Sequence, residues 1–237
     1  MAGITGHDGS VTYAAGYTTN THAWRVTDGG DTILTTPFAP AGDSVTRAAA
    51  ISNWEGEYRT WQPGTVNTGL TMAGGYYVTN AHSYSLEITA EDLMTTPFGA
   101  DYNTRISGLL SATGSYECYI DDTTTLPVRG TTDTITLTID TGKSYEIPIL
   151  IASVDVPVSA DGGDRVLTVN WESSGNFTET GAVPLIASTG AAIFVAAGAR
   201  QYSGTILVIS LGISQTATRD SAEWTIGFVG SGDNTAA

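Results

Sequence analysis

The sequence predicts an all-β fold, on three observations. Gly accounts for 28 of the 237 residues and Thr is visibly dense, and the two favour turns and strands respectively. Apolar residues alternate with other residues over short stretches punctuated by Gly, Asn and Asp, whereas helical periodicity is almost absent. Two patterns each recur once along the chain, which points to two β units rather than one. With 41% hydrophobic residues the chain can bury a core, and its length suits one large β domain or two small ones.

Taken in order, the segments support this. Around Trp24 and again around Tyr84, an aromatic strand leads to an acidic turn and then to Thr-Thr-Pro-Phe. "SVTRAAAI" (Ser44 to Ile51) is the best helix candidate, at roughly two turns. Ile135 to Ile139, Val154 to Val158 and Val166 to Trp171 alternate as half-buried strands do. "DTGKS" and "ADGGD" read as hairpin turns between such strands. A sandwich or barrel, with at most a short helix per unit, is the expected architecture.

The recurrences set the expected domains. One ungapped shift takes Tyr17, Thr19, Asn20, His22 and Thr35-Thr36-Pro37-Phe38 onto Tyr77, Thr79, Asn80, His82 and Thr95-Thr96-Pro97-Phe98. A slightly shorter shift then takes Thr46-Arg47 onto Thr104-Arg105 and Gly56 onto Gly114. In the second half, Tyr145 to Val156 matches Tyr202 to Ile213, and the same shift carries Leu167 to Asn176 onto Trp224 to Asp233. One such piece is too short to bury a sandwich core alone. The expectation is a nested duplication: an inner unit over 70–185, and a second, discontinuous unit from 1–69 plus 186–237. Pairing the first recurrence of each pattern together, and the second together, is the alternative.

Charge and composition exclude several classes. Against 24 acidic residues stand 9 basic ones, a formal net of -15, and Lys143 is the only lysine. Such a surface repels nucleic acid and anionic membranes. A single cysteine, Cys118, excludes an intrachain disulfide framework and a Cys-based zinc cluster; within an alternating strand it reads as a small buried side chain. The opening "MAGITGHDGS" has neither a basic nor an apolar signal region, and no apolar run reaches a membrane-spanning length. The expectation is a soluble protein kept in a cytoplasm or released by lysis.

Catalytic signatures are missing. No nucleophile elbow, zinc-binding helix motif, phosphate loop or dinucleotide fingerprint appears. His22 and His82 occupy equivalent places and read as strand-edge residues repeated with the pattern. His7, Asp8 and Ser10 are neighbours in sequence, but a triad requires residues held by a scaffold. The acidic turns at Asp121-Asp122 and Asp161 to Asp164 carry too few oxygens for a strong calcium site. No metal or cofactor is expected.

The recurring first pattern resembles the major tail (tail tube) proteins of long-tailed bacteriophages. The second copy carries the resemblance best, in Tyr84, Leu86, Glu91, Asp92, Thr96, Phe98, Gly99, Arg105, Gly108, Leu109, Gly114 and Ser115. The first copy follows with Trp24, Val26, Asp31, Thr36, Phe38, Arg47, Trp54, Glu55 and Gly56, but lacks a counterpart of Gly108. The clear part runs from about Tyr77 to Phe177. The resemblance implies a β-sandwich flanked by a short helix, six units to a ring, and rings stacked into a hollow tube through which genomic DNA passes without specific binding. The implied partners are further copies of the chain and other tail proteins, with no membrane. The implied location is the virion tail, and the host cytoplasm during assembly. A chain holding two units needs only three copies to close a ring, so duplication converts a six-fold ring into a pseudo-six-fold homotrimer. An acidic lumen suits a channel that must not trap a polyanion.

Residue-level expectations follow. Arg47 and Arg105 are candidates for salt bridges between units, with Glu55, Glu57 and Glu117 as acidic partners. Pro37-Phe38 and Pro97-Phe98 are expected to form turns, each Phe plugging its own sandwich or a neighbour's. Two other classes compete with the tube. A glycan-binding lectin or adhesin would use exposed Trp24, Trp54, Trp61 and Tyr76. A hydrolase would use Glu55 and Glu57, which alternate on one strand face about 7 Å apart.

Overall fold

The computed structural model describes residues 10–13, 21–28, 31–36, 54–61, 69–73, 81–100, 103–120, 125–156, 166–181, 183, 186–195, 201–216 and 223–236. Among them there is no helix. The helix candidate at Ser44–Ile51 lies outside the described residues, as do the "ADGGD" turn, Pro37, Phe38 and Arg47.

The strands are β1 (Ser10–Tyr13), β2 (Thr21–Asp28), β3 (Asp31–Thr36), β4 (Trp54–Trp61), β5 (Gly69–Met72), β6 (Ala81–Met94), β7 (Arg105–Tyr119), β8 (Thr132–Asp140), β9 (Lys143–Asp155), β10 (Val166–Ser173), β11 (Thr178–Thr180), β12 (Thr189–Val195), β13 (Gln201–Thr216) and β14 (Glu223–Ala236). Alternation decides which side chains go inside. On β9, Tyr145, Ile147, Ile149 and Ile151 are buried; on β6, Tyr84, Leu86 and Ile88 are buried while Glu87 and Thr89 are exposed. β8 and β9 meet at the "DTGKS" turn, with Asp140 opposite Lys143.

All the strands belong to one 14-stranded sheet, whose main path is β3-β2-β4-β14-β13-β6-β7-β10-β9-β8-β5. β12 pairs with the first half of β13, and β1 lies on β12. Every strand pairing in the sheet is antiparallel. The expectation of sandwich or barrel units is therefore refined. The strands do not form separate sheets, because the unpaired edge of β6 is satisfied by the second half of β13.

Within that sheet one order occurs twice. The strands β2-β4-β14-β13-β12-β1 correspond, place for place, to β6-β7-β10-β9-β8-β5. The registers correspond too. Val26 lies opposite Gly56 as Leu86 lies opposite Gly114. Gly56 lies opposite Phe228 as Gly114 lies opposite Trp171. Phe194 faces Tyr202 as Leu137 faces Tyr145. An irregularity after Val208 on β13, opposite Gly227 and Phe228, matches the one opposite Asn170 and Trp171 on β9. The two sets are called here the first and second half-sheets. β11 has its counterpart in the end of β14: Thr178 and Glu179 lie opposite Glu146 and Tyr145 as Thr235 and Ala236 lie opposite Ser203 and Tyr202. Among the described residues, β3 and the β6–β13 joint are what the half-sheets do not share.

Each half-sheet curls so that its far strands cover its near ones. In the second, the Tyr84 hydroxyl donates to the Thr138 carbonyl on β8 (3.3 Å), and the Tyr116 hydroxyl donates to the Met72 sulfur on β5 (3.4 Å). In the first, Phe194 of β12 reaches Trp24 of β2 (ring centroids 5.5 Å), Trp54 of β4 (6.5 Å) and Phe228 of β14 (4.9 Å). Cys118 is buried in the core, where loss of solvation pushes its thiol up to about 11.

Candidate assembly surfaces

Three surfaces stand out. The first is the outward face of the sheet. Because Tyr84, Leu86 and Ile88 point inward, Ser83, Ser85, Glu87 and Thr89 point the other way. The register lines them up with Glu117, Ser115, Thr113 and Ser111 on β7. The row continues across β10 through Thr168, Asn170 and Glu172, and across the joint through Ser210, Gly212 and Ser214 to Thr225 on β14. It ends on Arg59 and Glu57 of β4 and Arg25 of β2. A shallow groove over the joint is lined by Ser85, Glu87, Thr113, Ser210, Gly212 and Thr225. Short hydroxyl pairs tie the row together, Ser85 with Ser115 and Thr89 with Ser111, both at 2.8 Å. The result is one polar face spanning both half-sheets, rich in hydroxyls and carboxylates.

The second surface is the arm formed by β6 and β7 beyond the sheet. The pairing of β13 with β6 ends at Thr89, and that of β10 with β7 ends at Thr113, so Ala90–Met94 and Arg105–Leu110 continue as a two-stranded ribbon. Leu93, Met94, Phe98, Ile106, Leu109 and Leu110 are exposed on it. A ribbon with apolar side chains in solvent needs cover. At its tip Ala100 donates to the Pro97 carbonyl (3.3 Å), and Gly99 takes a positive φ that a β-carbon would strain. Pro97 and Phe98 thus form the expected turn, but Phe98 does not plug its own sheet: it is fully exposed, at 109%. The physical reason is reach. Paired strands of this length carry the turn away from the core.

The third surface lies near the tip of that arm, at the start of β7, where β14 of the other half-sheet meets it. The Arg105 amide donates to Ser231 Oγ (3.0 Å), Ser231 Oγ donates back to the Arg105 carbonyl (3.3 Å), and the Gly232 amide donates to the Asn103 carbonyl (2.7 Å). The Arg105 guanidinium, only 10% exposed, pairs with Asp92 on the adjacent strand of its own arm. Arg105 therefore lies at the junction of the half-sheets through its backbone, with its charge matched inside the arm.

The other expected residues fall on the polar face. Glu57 lies between Arg25 (3.5 Å) and Arg59 (3.6 Å), and Glu55 is exposed one alternate position away. Glu117 accepts from Ser83 Oγ (2.9 Å) and lies 3.3 Å from His82 Nε2, whose ring stacks on Tyr119 (4.6 Å). Glu57 thus has one cation on neighbouring β2 and another on its own strand, not a paired acid in a cleft. One lectin expectation is corrected. Trp24 and Trp54 are 3% and 1% exposed, because alternation places Trp24 on the same side as Val26 and Trp54 on the same side as Tyr58. The side chains of Trp61 and Tyr76 lie outside the described residues. Among the described residues no cluster of metal-ligating side chains occurs.

No known protein family matches the chain, and no curated protein does. Solved structures that resemble part of the chain include a chain from "Virion of native gene transfer agent (GTA) particle", at TM-score 0.39 and 16% identity, covering 51% of this chain and 99% of that one. A chain from "Tail of empty GTA particle computed with helical refinement, C6 symmetry" gives the same values. The fold of the chain described here is all-β.

Proposed function

We propose that the chain is a structural subunit of a phage-like tail tube, in which three copies close a pseudo-six-fold ring and rings stack into a hollow, acidic conduit for DNA. One observation carries the reading: two half-sheets of the same order and register are joined edge to edge within one chain, and a single polar face runs across the joint. On this reading the half-sheets are the products of a nested duplication, with units over 70–185 and over 1–69 plus 186–237. The polar face lines the lumen. Hydroxyls and carboxylates there, with the net charge of -15, let a polyanion pass without capture. The exposed apolar arm contacts further copies, and Phe98 fills a site on a neighbour. The partners are other copies, other tail proteins and the transiting genomic DNA. The location is the virion tail, reached from the host cytoplasm, and no catalytic role is proposed.

End-on averaging of negatively stained particles tests this. Rings with three-fold symmetry and a near-six-fold outline are expected. Rings of six full chains would overturn the stoichiometry. A compact single chain at high concentration would overturn the tube.

A further inference from the structure

The half-sheets differ in how they treat one edge. β6 gives one edge to β7 and the other to β13, with Thr89, Ile88, Glu87 and Leu86 opposite Ser210, Leu211, Gly212 and Ile213. β2 corresponds to β6, and gives the matching edge to β4. Its other edge is covered by β3, which the chain forms by reversing after Asp28, so that Val26 faces Leu34 and Asp28 faces Asp31. β6 runs straight on through the corresponding point to Met94. The complementary edge is open: β8 covers β9 as far as Leu150, and among the described residues no strand lies along the same side of Ser153–Asp155. Those residues correspond to Ser210–Gly212. Leu211 and Ile213 are buried, whereas their counterparts Val154 and Val156 are only partly so.

We propose that β3 is a displaceable strap. It covers the β2 edge in the free chain and gives that edge up to the β9 edge of a second copy on assembly. This rests on the ring reading above and adds the register of the contact between chains. If the joint between chains repeats the joint within the chain, Val154 lies opposite Asp28, Asp155 opposite Thr27, and Val156 opposite Val26. The exchange replaces a short outer strand with a ladder that also covers Val154 and Val156. The strap is built to yield: it is short, and among the described residues it has one neighbour strand. It also guards against indiscriminate pairing of an open edge.

Two cysteine pairs test this in the full-length protein. Arg25 and Thr35 are directly opposite, within the span a disulfide needs. Oxidised Arg25→Cys/Thr35→Cys protein should remain a single chain by analytical ultracentrifugation, and a reductant should restore rings. Equal assembly in both states overturns the strap and leaves the tube standing. Thr27→Cys/Asp155→Cys protein should cross-link between chains, giving bands on a non-reducing gel that stop at the trimer. Assembled rings without cross-links overturn the β9 edge as the partner. If the locked protein fails to fold, Leu34→Gly gives a second reading: loosening the strap should lower the protein concentration at which assembly begins. An unchanged or higher concentration overturns the proposal. If the unmodified chain never assembles, the tube and the strap fall together.

Discussion

The core of the first half-sheet carries more rings than that of the second. Trp24, Trp54, Phe194, Trp224 and Phe228 stand where the second has Tyr84, Ala112, Leu137, Leu167 and Trp171. The differences compensate locally. Trp54 passes against Gly230, where a β-carbon would run into the indole; in the second half-sheet Ala112 leaves room for Ser173, whose Oγ accepts the Ala112 amide at 2.9 Å. Gly56 and Gly114 are glycine in both, and a β-carbon at either would strike a carbonyl on the adjacent strand (Arg25 or Ser85) and the ring opposite (Phe228 or Trp171). The comparison teaches that the ladder and one close approach fix the fold, while the filling changes as long as volume is conserved.

The largest expected effects test that equivalence. Trp171→Ala and Phe228→Ala each remove a buried ring from the matched position and should cost about 3–5 kcal/mol in urea unfolding. A small loss at one and a large loss at the other would break the equivalence. Next come the glycines. Gly56→Ala and Gly114→Ala should each cost about 1–3 kcal/mol through overpacking. Combining Gly114→Ala with Trp171→Ala should cost less than the sum, because the ring that collides has gone; strict additivity would show that the glycine has another role.

Phe98→Ala sharpens the contrast between core and arm. The ring is exposed, so stability should change by no more than about 0.5 kcal/mol, while assembly read by sedimentation should weaken. A drop in the melting temperature of the single chain would show that the ring has a partner within it.

The smallest effect lies on β11, a separate strand in the second half-sheet where the first has the unbroken end of β14. Burial raises the Glu179 carboxyl above its usual range. A raised folded value means that the folded state holds the proton more tightly. The stability this group contributes is full below its unfolded value and is lost as pH rises through the folded one. Glu179→Gln should therefore raise the melting temperature at neutral pH and leave it unchanged at acid pH. A gain of the same size at both would assign the effect to packing.

Much of the fold was legible, for a physical reason. Strand alternation is local, so the places of Leu86, Tyr145 and Trp171 can be read from neighbouring residues. The match of Gly56 to Gly114 was visible because only glycine fits beneath the ring in both. The β6–β13 joint left no such trace. Edge pairing uses backbone groups that every residue carries, so nothing in "YSLEI" or "ISLGI" names the partner. Phe98 does not plug its own sheet, although an apolar ring suggests burial, because the span of the paired strands decides where the turn ends up. Trp24 and Trp54 alternate in step with Val26 and Tyr58, which places them inside and not on a glycan-binding surface.

The clasp near the tip of the arm has a mechanical consequence. Ser231 and Gly232 fasten β14 to Asn103 and Arg105, so a pull on the arm is delivered to both half-sheets at once. Tension along β6 and β7 acts in shear across the ladders that hold them to β13 and β10, loading many bonds together. Peeling from one end would load them one after another. A hairpin rooted in this way yields only when a whole row of bonds gives, which suits a part that must carry force along its length without unravelling.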